Sequence, residues 1–209
     1  MTLLSPSKTS GSSRVEDALD SAYPVRMKIG YSTVTACALF LISCGSTLPN
    51  QNPTGLYFPQ VSGTSLTQEV KLIPDTFEGA PVVLLVGYTQ RSQFDLDRWI
   101  LGLIQADVKV RLAEIPTIEG LFPGMFANRI DSGMRRGIPE EDWGSVITVY
   151  DDASIVVAFL GNERPNNGRV LLLDADGKVR WLWDRGYSAT AVLSLKAAAE
   201  ALQPESAPQ

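Results

Sequence analysis

Apolar positions along the 209-residue chain change their spacing several times, and each change predicts an element. Val82-Val83-Leu84-Leu85-Val86-Gly87, introduced by Pro81, is a continuous apolar run and predicts a strand buried on both faces. Leu96, Ile100, Leu103 and Ile104 then recur at helical spacing and predict a helix over Gln93–Ala106, with Asp95 and Asp97 in its first turn. Val108–Leu112 alternates as a second strand, and Leu66–Leu72 suits a short edge strand ahead of both. Phe122, Met125, Phe126, Ile130 and Met134 suit a further helix that closes near Gly137-Ile138-Pro139. Val146–Tyr150 is a strand, and Ser154–Leu160 fits either helix or strand. Arg169–Leu173 and Lys178–Trp183 flank Asp174-Ala175-Asp176-Gly177, the strongest hairpin signal in the chain. Ser188 caps an Ala-rich helix with Val192, Leu195, Ala199 and Leu202 on one face, which Pro204 ends.

A strand–helix–strand half joined to a hairpin–helix half is the plan of an α/β, thioredoxin-like domain. The helix and strand between the halves are an insertion of the kind peroxiredoxins carry, and a central mixed sheet with flanking helices is expected. The domain is placed at 63–203, after a Pro-containing linker at 45–62 and before a disordered tail at 204–209.

The N-terminus carries a different pattern. Residues 1–26 are polar and Ser-rich without an apolar period, and suit a disordered, over-extended start ahead of Met27. Residues 27–44 begin with Met27-Lys28, continue as the apolar run Val34–Ile42, too short to span a bilayer comfortably, and end in Leu41-Ile42-Ser43-Cys44. That tetrad resembles a bacterial lipobox, which makes Cys44 the expected lipid attachment site and the segment before it a signal peptide. The expected location is a bacterial membrane, with the domain facing the periplasm or exterior. Gly45-Ser46 lacks an Asp-type inner-membrane retention signal, which favours the outer membrane.

Composition then removes chemistry. The chain has no histidine, so the usual general base and the commonest metal ligand are missing. Its two cysteines are Cys37 and Cys44, which leaves the body without a redox dithiol. A net charge of −5 without a basic run argues against a nucleic-acid partner. The stretch after the first core strand, where a thioredoxin-like enzyme keeps its thiols, is Gly87-Tyr88-Thr89-Gln90-Arg91-Ser92-Gln93-Phe94-Asp95. Ser92 and Asp95 have the spacing of a CxxC pair, and their chemistry is that of a capping box. Asp174–Gly177 suits a turn better than a calcium loop, Asp151-Asp152 a solvated turn, and Arg135-Arg136 a solvated helix end. Trp181 and Trp183 share a strand face and serve either core packing or a binding patch. No catalytic residue, metal site or cofactor is expected.

Val83–Trp99, with Gly87-Tyr88-Thr89-Gln90-Arg91 and Trp99, resembles the mitochondrial ATP synthase assembly factor family. Gly168–Leu195, with Leu172-Leu173-Asp174, Lys178-Val179-Arg180-Trp181 and Gly186, resembles the C-terminal block of that family. The resemblance implies a thioredoxin-like chaperone that binds a nascent subunit instead of catalysing a reaction. It makes Gln90, Arg91, Arg180 and Trp181 the partner-binding candidates. Arg91 and Arg180 suit a partner carboxylate, or equally a brace to Asp95 or Asp184. The family acts on the matrix side, whereas a lipobox places this chain outside the cytoplasmic membrane, so only a binding or assembly role for a membrane or envelope protein carries over. The alternatives are a thiol-free enzyme descended from peroxiredoxins or thiol reductases that uses Arg91 and Ser92, and a small-ligand binder that uses a cleft beside Tyr88 and Gln90.

Overall fold

A computed structural model describes residues 47–120 and 130–203. The strands are β1 (Val61–Ser65), β2 (Val70–Ile73), β3 (Val82–Gly87), β4 (Arg111–Pro116), β5 (Ile147–Thr148), β6 (Arg169–Leu173) and β7 (Val179–Trp183). The helices are α1 (Gln90–Gln105), α2 (Ala153–Leu160) and α3 (Ala189–Glu200), and residues 130–135 are also helical. One ladder runs β4-β3-β6-β7 and the other β2-β1-β5. β3 is parallel to β4 and antiparallel to β6, so the sheet is mixed as expected. Single parallel bridges, Glu114 to Val146 and Thr117 to Val149, carry one ladder into the other.

The apolar run of β3 is buried along its whole length because the sheet is covered on both sides. Val82, Leu84 and Val86 enter one core with Leu171, Leu173, Val156 and Leu160. Val83 and Leu85 enter the other with Val170, Leu172, and the inward faces of α1 and α3 (Leu96, Trp99, Leu103, Val192, Leu195). Truncation of a fully buried side chain such as Leu84 costs about 2–5 kcal/mol, from lost burial and the cavity left in its core. The hairpin forms as expected, and its turn requires Gly177, whose φ is +81°. Ser188 caps α3, its hydroxyl accepting from the Ala191 amide at 3.3 Å.

Several local expectations are corrected. Leu66–Leu72 is not one strand: β1 and β2 form an antiparallel hairpin, with Leu66 buried in the turn between them. The second strand of the parallel pair lies at Arg111–Pro116, since Val108 packs beneath the end of α1. Ser154–Leu160 is resolved as helix. Arg135 is not a solvated end: its Nε donates to the Leu66 carbonyl at 2.8 Å and its guanidinium lies over Trp143. Asp152 is likewise committed, accepting from the Ser62 amide at 2.7 Å. Phe122, Met125 and Phe126 lie outside the described residues.

The expected linker is also revised. From Leu48 onward the chain is strapped to the domain: Leu48 exchanges hydrogen bonds with Asn162, and the Gln51 amide donates to Leu160. Gly55–Phe58 pairs with Gly177–Val179 through three backbone bonds of 2.8–2.9 Å. Gly161 permits the close approach, since a Cβ there would sit 2.2 Å from the Pro49 carbonyl oxygen.

Candidate functional site

The turn between β3 and α1 is closed by hydroxyl groups. α1 begins at Gln90, three residues earlier than its apolar pattern predicts, because Thr89 is the N-cap. The Thr89 hydroxyl accepts from the Ser92 amide at 3.2 Å, and Ser92 Oγ accepts from the Thr89 amide at 3.4 Å. Ser92 Oγ also donates to the Thr89 carbonyl at 2.6 Å and is 1 % exposed, so its hydrogen is used within the cap. Thr89 Oγ1 in turn donates to Asn166 Oδ1 at 3.1 Å, joining this turn to the loop before β6.

The expected capping box of Ser92 with Asp95 does not form. Asp95 is a buried hub instead: its carboxylate accepts from the Gly168 amide at 2.9 Å and the Tyr187 amide at 2.7 Å. Arg98 reaches it at 3.4 Å from the surface. One side chain thus ties α1 to the entry of β6 and the exit of β7.

Beside the hub lies Arg169, fully buried at the start of β6. Its guanidinium stacks over Tyr88 at 4.5 Å from the ring centre. It donates to the carbonyls of Arg164 and Asn167 at 2.9 and 2.8 Å, and to Asn50 Oδ1 at 3.0 Å. Burial pulls the Arg169 pKa down, and burial pushes the Tyr88 phenol up. Among the described residues, Tyr88 OH and Arg169 Nε are buried without a hydrogen-bond partner. Glu114, buried on β4, is pushed up to about 7 by burial; Gln93 opposes the shift and the charge of Asp97 adds to it.

The four partner-binding candidates are not brought together. Gln90 and Arg91 are exposed in the first turn of α1, beyond the C-terminal end of β3. Arg91 makes no hydrogen bond or ion pair among the described residues, and the brace to Asp95 belongs to Arg98. Arg180 and Trp181 lie on β7 in register with the other end of β3, roughly 13 Å away at strand rise. Arg180 pairs with Asp174 at 2.6 Å instead of Asp184. Burial acts to raise the Asp174 pKa, but the amides of Lys178 and Asp176 and the Arg180 guanidinium hold it below its ordinary value. Trp181 is half-buried, edge-on to Trp99 and stacked with Trp183 at 6.4 Å, so the pair serves both packing and a surface. Cys44 lies outside the described residues.

Sequence reasoning missed Asp95 as a hub, and it missed Arg169, Asn50 and the stacking of Tyr88 on Arg169. Arg169 did carry a signal, a charged residue opening an otherwise apolar strand.

No protein-family model matches the chain, and no curated protein sequence matches it. Solved structures do. Yeast Sco1 with copper bound aligns at 12 % identity and TM-score 0.54, covering 74 % of this chain and 97 % of its own. BsSco, described as a member of the Sco family of cytochrome c oxidase assembly proteins, aligns at 12 % and 0.51, covering 74 % and 99 %. An uncharacterized conserved protein from Geobacillus kaustophilus aligns at 16 % and 0.50, covering 76 % and 87 %. The fold is thioredoxin-like. At the place where that fold keeps thiols for exchange, this chain has a sealed hydroxyl cap. Among the described residues no cluster of His, Cys, Asp and Glu is arranged to hold a metal, and no helix is long and apolar enough to cross a membrane.

Proposed function

We propose that this chain is a lipid-anchored, non-catalytic thioredoxin-like protein that binds, or assists the assembly of, a membrane or envelope protein. The observation that carries the reading is the β3–α1 turn. Thr89 and Ser92 spend their hydroxyls on capping, Ser92 is buried, and no histidine is present to activate either. Exchange chemistry needs a thiolate, and both cysteines precede residue 45. The copper of yeast Sco1 has no counterpart donor set here, because soft thiolate and imidazole ligands are absent from the chain after Cys44. An assembly role has a precedent within the fold in BsSco, whose family assembles cytochrome c oxidase. The anchor rests on the lipobox-like Leu41-Ile42-Ser43-Cys44, and the client-facing residues on the exposed, uncommitted Arg91 and its neighbour Gln90.

The test is site-specific photocrosslinking in the native host, with the probe at Gln90 or Arg180 in the full chain. The expected result is one specific membrane or envelope protein, captured from Gln90 and lost with Arg91→Ala. Cys44→Ala is expected to move the chain out of the membrane fraction and abolish acyl labelling. A Cys44→Ala chain that stays in the membrane fraction, or an unaltered chain that takes up no acyl label, refutes the anchor. Failure to capture any protein from either position refutes the binding role.

A further inference from the structure

β7 is the outer strand of its ladder, and the chain itself covers only part of that edge. Gly55–Phe58 pairs with Gly177–Val179 as an added antiparallel strand, with Gly55 donating to Val179 and Val179 to Leu56. Beyond Gly55 the strap leaves the edge. Pro53 closes a turn onto Leu56, and Asn52 Oδ1 accepts from both the amide and the hydroxyl of Thr54. The strap returns only at Asn50, whose side-chain amide donates to Asp184 at 2.7 Å. Among the described residues no hydrogen bond joins 51–54 to 180–183. Between them lies a slot of about 500 Å³, lined by Asn52, Thr54, Trp181, Trp183, Arg185 and Ser194.

We infer that this slot takes an extended polypeptide segment, which completes the edge of β7 where the chain's own strap leaves it. The edge already accepts a strand one residue away, so the added segment continues an existing ladder. The strap closes the far side at Asn50–Asp184, which admits a single strand and excludes the edge of a second sheet or a second copy of this chain. Residues 180–183 span roughly 13 Å, the length of about four residues of strand. The half-buried Trp181–Trp183 stack offers an apolar wall to alternate side chains of the segment. Arg185 lies over Trp183 and makes no ion pair among the described residues, whereas Arg180 is committed to Asp174. The segment therefore carries apolar side chains at alternate positions and an acidic group at the Arg185 end.

This inference rests on the reading that the chain binds a protein, and it names the surface. The test uses the full chain and a pool of synthetic six-residue peptides with alternating apolar residues and one terminal acidic residue. Selected peptides are expected to protect amides within Arg180–Trp183 from hydrogen exchange. They are expected to weaken at least tenfold when their backbone amides are N-methylated at alternate positions, since those amides bond to the edge. Thr54→Trp, a surface change that fills the slot, should weaken binding by a similar factor, and Arg185→Glu should do so for the acidic peptides alone. The inference is overturned if no peptide binds more tightly than it binds Thr54→Trp, or if binding survives N-methylation. A client still crosslinked from Gln90 in the Thr54→Trp variant would sink the slot and leave the protein-binding role standing. Absence of both client crosslinking and peptide binding in the unaltered chain would sink the role itself.

Discussion

Asp95→Ala isolates the side chain that ties α1 to the entry of β6 and the exit of β7. Asp95 is 5 % exposed and its carboxylate holds two backbone amides, those of Gly168 and Tyr187, at 2.9 and 2.7 Å. Hydrogen bonds to a charged group contribute about 1.5–3 kcal/mol each. Two of them give about 3–6 kcal/mol, offset in part by the desolvation that alanine no longer incurs. The Arg98 contact adds little, since its side chain is 61 % exposed. The expected loss is about 3 kcal/mol, or roughly 6–12 °C in Tm for a domain of this size. Asp95→Asn is the sharper control. Its oxygen can accept one amide, but its NH2 then faces the other donor, so it should lose about 2–3 kcal/mol despite equal volume. Urea unfolding followed by tryptophan fluorescence reads both, with the denaturant slope unchanged if only stability moves. A loss below about 1 kcal/mol in both variants, or a wild-type midpoint for Asn, would refute the hub.

Three further outcomes follow from the same geometry. The Glu114 carboxyl is raised from its ordinary 4.5 to about 7, so the folded state holds its proton more tightly. Its stability contribution is full below pH 4.5 and is lost as pH rises through about 7, a fall on the order of 3 kcal/mol; Glu114→Gln should flatten that fall in chemical unfolding between pH 4.5 and 8. Gly161→Ala places a Cβ 2.2 Å from the Pro49 carbonyl oxygen at a φ of +74°, and should release the strap, read as faster hydrogen exchange at Gln51 and Asn162 with the β3 amides unchanged. Ser92→Ala should cost about 1 kcal/mol of stability through the cap and leave client crosslinking intact; an activity of the chain abolished by Ser92→Ala with the fold intact would favour the enzymatic alternative.

What the sequence made legible was whatever two adjacent elements decide between themselves. The β3 run, the β6–β7 hairpin and the α3 cap each have a local signature, and each stands where its pattern placed it. Interactions across long sequence separations were not legible. Ser92 and Asp95 have capping-box spacing, yet the cap belongs to Thr89, because Asp95 is drawn to amides 73 and 92 residues away. Residues 47–61 have the composition of a linker, and nothing local in Asn50 announces that it bonds a buried arginine 119 residues on. Leu66 blurred the β1–β2 boundary because a buried apolar residue in a turn cannot be told from a strand residue by hydropathy alone.

The same contrast separates this turn from a thioredoxin-like redox site. A thioredoxin-like redox site relies on helix-terminal amides left free to stabilise a thiolate. Here the Ser92 amide is taken by Thr89, and the Thr89 amide by Ser92. The loop across from the turn is fixed by Asp95, and its carbonyls by Arg169, which Asn50 and Tyr88 hold in place. The side-chain hydroxyls of the turn are committed to bonds with neighbouring groups, and Gln90 and Arg91 face solvent from the first turn of α1. On the proposed binding role, a scaffold fixed by these bonds loses little conformational freedom when a partner docks, so the ordering cost of binding falls mainly on Gln90, Arg91 and the client.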